Sequence, residues 1–596
     1  MTVDHSPAPP SDVLRVGNCS GFYGDRLSAM REMLEGGDLD VLTGDYLAEL
    51  TMLILARDRA KDPTLGFART FLRQLEDGLG LALEKGVRIV VNAGGLNPHG
   101  CGAAIGDLAT RLGLDVAVAV VDGDDLTSRS EELGLGQPLA ANAYLGAFGI
   151  AAACRAGADV VITGRVTDAS VVVGPAIAHF GWERGDLDAI AGAMAAGHVI
   201  ECGTQATGGN LAFFRDVPDL TRPGFPIAEI HRDGSSVITK HPGTGGAVTL
   251  DTVISQLLYE VQDARYAGPD AVLRLDTLHL EQQGPDRVLV AGARGEAPPP
   301  EVKVSCTSVG GYRNEMTFVL TGLDIDAKAD LARRQVEAAL PVRPAELTWT
   351  LARTDHEDPD TQARAAATLT VVARDPDEAK VGRAFSSAAV EIALASYPGC
   401  FLTNPPGSGS AYGVYSPRYV AQHVPAHTVT LPSGERLAIA PPATTQPLEP
   451  LGDDPATSGA SGDAAASPAA YGPTTRLPLG TILGARSGDK GGNANVGVWV
   501  RSDDEFTWVD SFLTIDRLRE LLPETRDLVI TRTRLPQLRA LNFVVEGLLG
   551  EGVAYAARFD PQAKALGEWL RARHVDLPTR LLPTRLLPLP VEVDHP

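Results

Sequence analysis

The feature that most constrains this chain is the regular alternation of its first 180 residues between short β-branched apolar runs and longer stretches of helical spacing. The apolar runs lie at 14–19, 39–43, 88–92, 116–121 and 160–163. The segments at 25–35, 46–59, 68–84, 99–112 and 141–156 repeat apolar side chains with the period of a helix face. Strands covered by helices on both faces cannot be joined by hairpins; they need crossovers, which are almost always right-handed. The alternation predicts an α/β fold, with a parallel-sheet, layered N-terminal domain.

The chain has 596 residues, more than a single hydrophobic core sustains, so several domains are expected. A parallel α/β domain is expected at 13–200, and an α+β region at 201–440 that completes it. Within that region, residues 198–300 are dense in turn signals, with a helix near 250–261. Strands are predicted at 302–308, 314–322, 346–353 and 366–373, and helices at 326–340 and 376–396. Residues 441–475 contain almost no large apolar side chains to offset their ordering entropy, which reads as a flexible linker. Behind it, residues 476–586 read as a small α/β domain, with strands near 476–485, 495–501, 527–533 and 541–546 and helices near 514–522 and 561–573.

Lys and Arg number 52 against 75 Asp and Glu, a net charge of −23 that argues against nucleic acid or an anionic membrane surface as partner. The six cysteines include no C-x-x-C pair, so a reduced cytoplasmic protein without a disulfide framework is expected. The N-terminus lacks the basic and apolar regions of a signal peptide, and no uncharged apolar run reaches membrane-spanning length.

Ligands of parallel α/β sheets bind outside the carboxyl ends of the strands. Each predicted strand is followed there by Gly and polar residues: Asn18 and Ser20, then Asp45, then Asn92, Gly94, Gly95, Asn97, His99 and Cys101, then residues 122–125, then Arg165 and Asp168. Any one of these is also an ordinary capped turn; the set on one rim predicts a small-molecule site. In 92–101, Pro98 opens a helix whose N-terminal N–H groups suit an anion or an enolate oxygen. The dipole there would activate the Cys101 thiol, with His99 as base; a small buried Cys beside a surface His is the competing reading. Arg165 has the fork to clamp a carboxylate, or to pair with Asp168. Asp45 and Asp168 are candidate general bases, Asp45 equally a helix cap.

Residues 198–205 concentrate His198, Glu201 and Cys202, but without H-E-x-x-H or a second His at ligand spacing, so they read as a polar pocket wall and no metal is predicted. Thr244 and Gly245, ahead of the 250–261 helix, could form an anion nest. The basic, Gly-rich stretch 486–493 reads as a turn or a phosphate loop. No G-x-G-x-x-G follows the first strand, which leaves a dinucleotide cofactor unsupported.

Several blocks resemble the acyclic terpene utilisation (AtuA-like) family: NCSGFYGD at 18–25, GDYLAELTMLILAR at 44–57, NAGGLNPHGC at 92–101, ITGRVTDASVVVGP at 162–175, GHVIECGTQATGGN at 197–210 and PGTGGAV at 242–248. ARSGDKGGNANVGVWVR at 485–501 resembles the small ferredoxin-like domain of longer members. Val166 and Ala206 depart from positions that many members fill with Cys, whereas Cys101 and Cys202 match. The resemblance implies an enzyme of branched-chain or acyclic terpenoid acyl metabolism. With the rim residues, it leads to an expectation of hydratase, lyase or isomerase chemistry on an acyl-CoA or carboxylate. No cofactor is expected beyond CoA as part of the substrate, and a homo-oligomer is expected. A non-catalytic acyl-binding or scaffolding subunit and a Cys101-dependent thioester hydrolase are the alternatives.

Overall fold

The computed structural model describes residues 11–449, 451 and 471–583. It divides into two compact units. One holds the described residues up to Cys306, those between Pro417 and Leu548, and those from Ala563 on; the other holds Thr307–Ser416 and Leu549–Gln562.

The first unit is built on an eleven-stranded sheet. Its centre is five parallel strands, β1 (Val13–Asn18), β2 (Val41–Gly44), β3 (Arg88–Val91), β4 (Val118–Asp122) and, after the short β5 (Ala140–Ala143), β6 (Val160–Thr163), in the spatial order β1-β2-β3-β6-β4. Successive side chains of a strand point to opposite faces, and both faces are covered. Val16, Val41, Val90 and Val161 join one core, while Leu42, Ile89, Val91, Val160 and Ile162 join the other.

Helices α1 (Ala29–Gly36), α3 (Arg69–Lys85) and α4 (Pro98–Leu112) deliver Met30, Phe71, Leu75 and Ile105 to the second core. The other core receives Ile150, Val172 and Val199 from α5 (Phe148–Arg155), α6 (Ser170–Phe180) and α7 (Leu187–Ile200). Helix α2 (Glu49–Lys61) packs Met52 and Leu55 into a smaller cluster with Leu47 and Leu96. Each fully buried side chain of this size contributes about 1.5–3 kcal/mol relative to exposure, and this double covering is what the continuous apolar strands require.

The segment expected as one helix at 141–156 is split. Its first residues form β5, which pairs with the strand Glu301–Thr321, and the helix begins only at Phe148. Beyond α7, β7 (Pro226–His231) and β8 (Ser236–Lys240) extend the sheet antiparallel from β1, and α8 (Leu250–Leu257) opens with a capping box on Thr249. The sheet ends at strands His279–Gly284 and Arg287–Ala291 on one side and at Thr428–Thr430 and Arg436–Ala438 on the other.

The segment expected as a small domain forms its own antiparallel sheet of Gly484–Lys490, Asn493–Trp499, Ala540–Val545 and Ile530–Leu535 in that order. Most of it belongs to the same compact unit as the parallel sheet. Of the expected linker, residue 450 and residues 452–470 lie outside the described residues, as do 584–586 of the expected small domain.

The second unit is α+β. The two strands expected at 302–308 and 314–322 are one continuous strand, Glu301–Thr321. Its later residues pair antiparallel with Ala366–Asp375, which pairs in turn with Glu346–Ala352. Helix Ile325–Ala339 and the broken pair Glu378–Val381 and Arg383–Glu391 cover the sheet with Ala332, Val336 and Phe385. Among the described residues no helix is long and apolar enough to cross a membrane.

Candidate functional site

The carboxyl ends of the central strands are tied to one another by short polar bonds. Asn18, the last residue of β1, is fully buried; its Oδ1 accepts the Ser20 N–H at 2.9 Å and its Nδ2 donates to the Glu201 carbonyl at 3.4 Å. The Asp45 N–H, just past β2, donates to the Ser20 carbonyl at 2.8 Å. Asp45 Oδ1 accepts from Asn92 Nδ2 at 2.6 Å and from the Leu47 N–H at 3.0 Å, while Asn92 Oδ1 accepts the Tyr46 N–H at 2.8 Å. Asn18, Ser20, Asp45 and Asn92 thus form one linked rim over three adjacent strands.

After β6, the chain passes against the carboxylate of Asp124, and a Cβ at Gly164 would fall on that carboxylate. This close approach needs glycine, and it lets the Arg165 N–H donate to Asp124 Oδ2 at 2.8 Å. The Arg165 guanidinium is buried. Its Nη1 lies 3.2 Å from Asp168 Oδ1 and donates to the Leu47 carbonyl at 3.1 Å, and its fork lies 4.4 Å from the centre of the Tyr144 ring. Arg165 therefore engages Asp168 and the loop that carries Asp45, and its Nε is buried without a hydrogen-bond partner.

The end of α7 supplies the facing groups. His198 and Glu201 are both buried, with His198 Nδ1 3.0 Å from Glu201 Oε1. The imidazole packs against Tyr266, ring centres 4.6 Å apart. His198 Nε2 and Glu201 Oε2 are buried without a hydrogen-bond partner. Glu260, just beyond α8, adopts φ 58° and is held there by its N–H, which donates to Asn495 Oδ1 at 2.9 Å. The strand Gly484–Lys490 brings Lys490 within electrostatic reach of His198 and Glu201.

Burial and like charge set the protonation states. The Asp45 carboxyl is pushed well above its usual range, first by burial and then by the charge of Asp168; Arg165, Asn92 and the Leu47 N–H pull the other way. Burial, then Asp168 and Glu260, push Glu201 well up against the opposing pull of Lys490 and Arg165. His198 is driven down to about 4 by burial and by Lys490, opposed by Glu260, Asp168 and the Tyr259 backbone. Burial works against the charge of Arg165, but Tyr144, Asp168 and Asp45 outweigh it and hold the guanidinium charged. The site therefore combines carboxyls whose burial favours the protonated form, an imidazole whose burial favours the uncharged form and a guanidinium held charged. Where Glu201 carries its proton it donates to Nδ1, and the imidazole proton then sits on Nε2.

Other residues expected at the site are spent elsewhere. His99 is half exposed and pairs with Asp122, which also receives Thr428 and Arg436. Cys101 is fully buried against Ile105 and its neighbours, and burial pushes its thiol far up. Desolvation exceeds the helix dipole here, which favours the packing reading of Cys101 over the activated thiol.

At the helix end after β3 several N–H groups are already bonded. The Gly95, Asn97 and Cys101 N–H groups donate to the carbonyls of Asn92, Gly94 and Asn97. Asn97 Oδ1 caps the Gly100 N–H, and the Asn97 Nδ2 donates to the Thr64 and Leu65 carbonyls. These N–H groups are therefore spent within the loop, and Gly94 packs on the Thr163 carbonyl and Pro98. Cys202 lies beside Gly21 with its thiol pushed well up by burial and by Glu201. Thr244 and Gly245 form a turn closed by Lys240, which donates to the Thr244 carbonyl at 2.8 Å, and packed on Asp219 and Arg222. Among the described residues no group of three His, Cys, Asp or Glu is placed to hold a metal ion.

Tyr144, Glu260, Tyr266 and Lys490 were not picked out as site residues from the sequence. Of the four, only Lys490 stood in a segment with a legible signal, the basic Gly-rich stretch at 486–493.

The chain matches the family model described as acyclic terpene utilisation family protein AtuA over residues 14–431, and the AtuA ferredoxin-like domain over residues 477–576. No curated protein and no solved structure matches it.

Proposed function

The chain belongs to the acyclic terpene utilisation family AtuA, and on that premise we propose that it is an enzyme of branched-chain or acyclic terpenoid acyl metabolism. It acts on an acyl-CoA thioester or the corresponding carboxylate by hydratase, lyase or isomerase chemistry. The observation that carries this reading is the concentration, at one strand edge, of buried carboxyls pushed up by burial and like charge (Asp45, Glu201) around a buried imidazole pushed down to about 4.

Titratable groups whose environments drive them apart are what acid–base chemistry at neutral pH requires. In the hydration direction, Asp168 accepts a proton from water as its oxygen attacks the β-carbon of a 2-enoyl thioester. The electron pair moves onto the thioester oxygen, and Asp45 delivers a proton to the α-carbon. His198 Nε2–H is the donor that holds the developing enolate oxygen, the task first expected of the 92–101 backbone. Arg165 keeps Asp168 oriented through the ion pair at 3.2 Å. The reverse sequence is dehydration, and proton return at another carbon is isomerisation.

The test is turnover by the full chain of a panel of branched-chain 2-enoyl- and 3-hydroxyacyl-CoA thioesters and their free acids. Asp45→Asn and His198→Gln are each expected to lower kcat about 100-fold or more with KM little changed. Full turnover by both variants, or no turnover of any panel member by the wild type, would overturn the reading.

A further inference from the structure

Asn142, on β5, is fully buried, and its Nδ2 donates to Asp124 Oδ2 at 2.7 Å. The same carboxylate oxygen accepts the Arg165 N–H at 2.8 Å. Asp124 therefore fixes which way the amide is turned: a carboxylate oxygen takes a donor, so the nitrogen faces it and the amide oxygen faces away. Asn142 Oδ1 is buried and has no hydrogen-bond partner among the described residues. Leaving such an oxygen unbonded is costly, and what offsets the cost is a donor from outside the chain. The neighbouring contacts place Asn142 beside Arg165. Two residues on, the Tyr144 ring centre lies 4.4 Å from the Arg165 guanidinium. Leu145 then pairs with Val166 in a parallel bridge; its N–H donates to the Arg165 carbonyl at 3.2 Å, and its carbonyl accepts the Thr167 N–H at 3.0 Å. Arg165 Nη1 in turn lies 3.2 Å from Asp168 Oδ1. Two more buried atoms of this group make no hydrogen bond, Arg165 Nε and Asp168 Oδ1. An amide oxygen, a guanidinium N–H and a carboxylate oxygen around one arginine are what a hydroxyl engages, because O–H both donates and accepts.

We infer that Asn142 is a specificity-determining residue: its Oδ1 accepts the O–H of a 3-hydroxyacyl group, and so selects that group over 3-oxo and saturated acyl chains. The inference rests on the hydration reading above and accounts for the hydrogen that reading leaves over. As the water oxygen bonds to the β-carbon, one of its hydrogens passes to Asp168 as a proton. The other stays on the oxygen as the product hydroxyl, and Asn142 Oδ1 takes its hydrogen bond. In the dehydration direction Asp45 removes the α-proton, and the C–O pair leaves with the hydroxyl oxygen. Asp168 returns a proton to that oxygen, and water departs still bonded to Asn142. A 3-oxo group brings an acceptor without a donor, and a saturated chain brings neither. Both leave Asn142 Oδ1 buried and unsatisfied, which is how a site built around a hydroxyl rejects its analogues.

The experiment is calorimetric binding by the full-length chain carrying Asp45→Asn, which holds the ligands unreacted. The probes are a branched 3-hydroxyacyl-CoA with its 3-oxo and saturated counterparts, and the three free acids run as a second series. The 3-hydroxy ligand is expected to bind about tenfold or more tighter than the other two, the worth of one hydrogen bond. Adding Asn142→Ala is expected to abolish that preference while the saturated ligand binds within about twofold of before. Asn142→Ser, which removes less of the side chain, takes its place if the alanine variant does not fold. Equal binding of the 3-hydroxy and 3-oxo ligands overturns the inference before any change at Asn142 is made. So does a preference that survives in a folded Asn142 variant, a variant that weakens all three ligands alike, or failure of both series to bind. Selective binding lost with Asn142, but no turnover of the acyl panel by the wild type, would sink the proposed reaction and leave the Asn142 contact standing. Turnover without selective binding would sink the contact alone.

Discussion

Asn92 is the hydrogen-bond partner that keeps Asp45 in place: its Nδ2 donates to Asp45 Oδ1 at 2.6 Å while its own Oδ1 accepts the N–H of Tyr46 at 2.8 Å. One amide from β3 thereby fixes both the carboxyl and the backbone of the neighbouring β2 loop. Replacing it with the near-isosteric Leu (Asn92→Leu) leaves the Tyr46 N–H buried without an acceptor and removes a bond that favours ionised Asp45. An unsatisfied buried group costs about 1–3 kcal/mol, so urea-induced unfolding should show a loss in that range. The Asp45 titration should move further up, because the lost bond is one that pulls it down. Unchanged stability would mean that the bond is not formed in solution.

Cys101 gives a prediction of the opposite kind. Its thiol is fully buried and held well above the normal range, so iodoacetamide should leave it unmodified in the folded protein at neutral pH and label it only after denaturation. Cys101→Ala should cost about 1–2 kcal/mol from the lost methylene-sized volume and leave any turnover of the acyl panel within a few-fold of wild type. Rapid native labelling of this residue, with loss of turnover, would restore the thiol mechanism.

The contrast between Asn92 and Cys101 shows where the sequence is legible. The parallel sheet could be read because its strands are buried on both faces and therefore rich in β-branched residues, as in Arg88–Val91 and Val160–Thr163. The rim followed from the rule that ligands sit beyond strand carboxyl ends, and Asn18, Asp45, Asn92 and Arg165 do share that edge. Of the two readings of Cys101, burial favours the packing one: the helix dipole is a local, readable effect, whereas desolvation depends on what packs from afar. Glu260 and Lys490 could not be assigned to the site for a related reason. They reach His198 from segments distant in sequence, and nothing in the order of residues says that Asn495 will bond the backbone at 258–260. The helix expected at 141–156 was overextended because residues 140–143 are as apolar as a helix face. Their strand partner lies beyond residue 300.

Asp124 predicts a specific pH dependence. It is buried, accepts from the Arg165 N–H and from Asn142 Nδ2, and burial raises its carboxyl from 3.8 to about 7. A folded-state value above the unfolded one means that the folded protein binds the proton more tightly. The contribution is therefore full below about pH 4 and is lost as pH rises through 7. Asp124→Asn keeps the shape without the ionisation. The stability of the variant relative to wild type should accordingly rise between pH 4 and 7, by up to about 4 kcal/mol at about 1.4 kcal/mol per unit. Chemical denaturation of both proteins across that range measures the difference directly. His198 and His427, both lowered to about 4, tilt both proteins alike in the other direction, losing stability as pH falls below about 6.5, and so cancel in the comparison. A difference that does not change with pH would place the Asp124 ionisation outside this window.

The asparagine pair of the C-terminal sheet should behave as one unit. Asn495 and Asn542 are both buried, bond each other at 2.8 Å, and between them satisfy the Leu258 and Val261 carbonyls and the Glu260 N–H. Removing either side chain breaks the shared bond and strands backbone groups that the other cannot reach, so Asn495→Ala and Asn542→Ala should each destabilise by about 2–4 kcal/mol. The double variant should lose less than the sum, with a coupling of about 0.5–3 kcal/mol, as for residues in one hydrogen-bond network. Strict additivity would mean that the two amides hold the interface separately. In that case Asn495, which alone carries the Glu260 N–H, is the residue whose loss should release Glu260 from its left-handed backbone conformation.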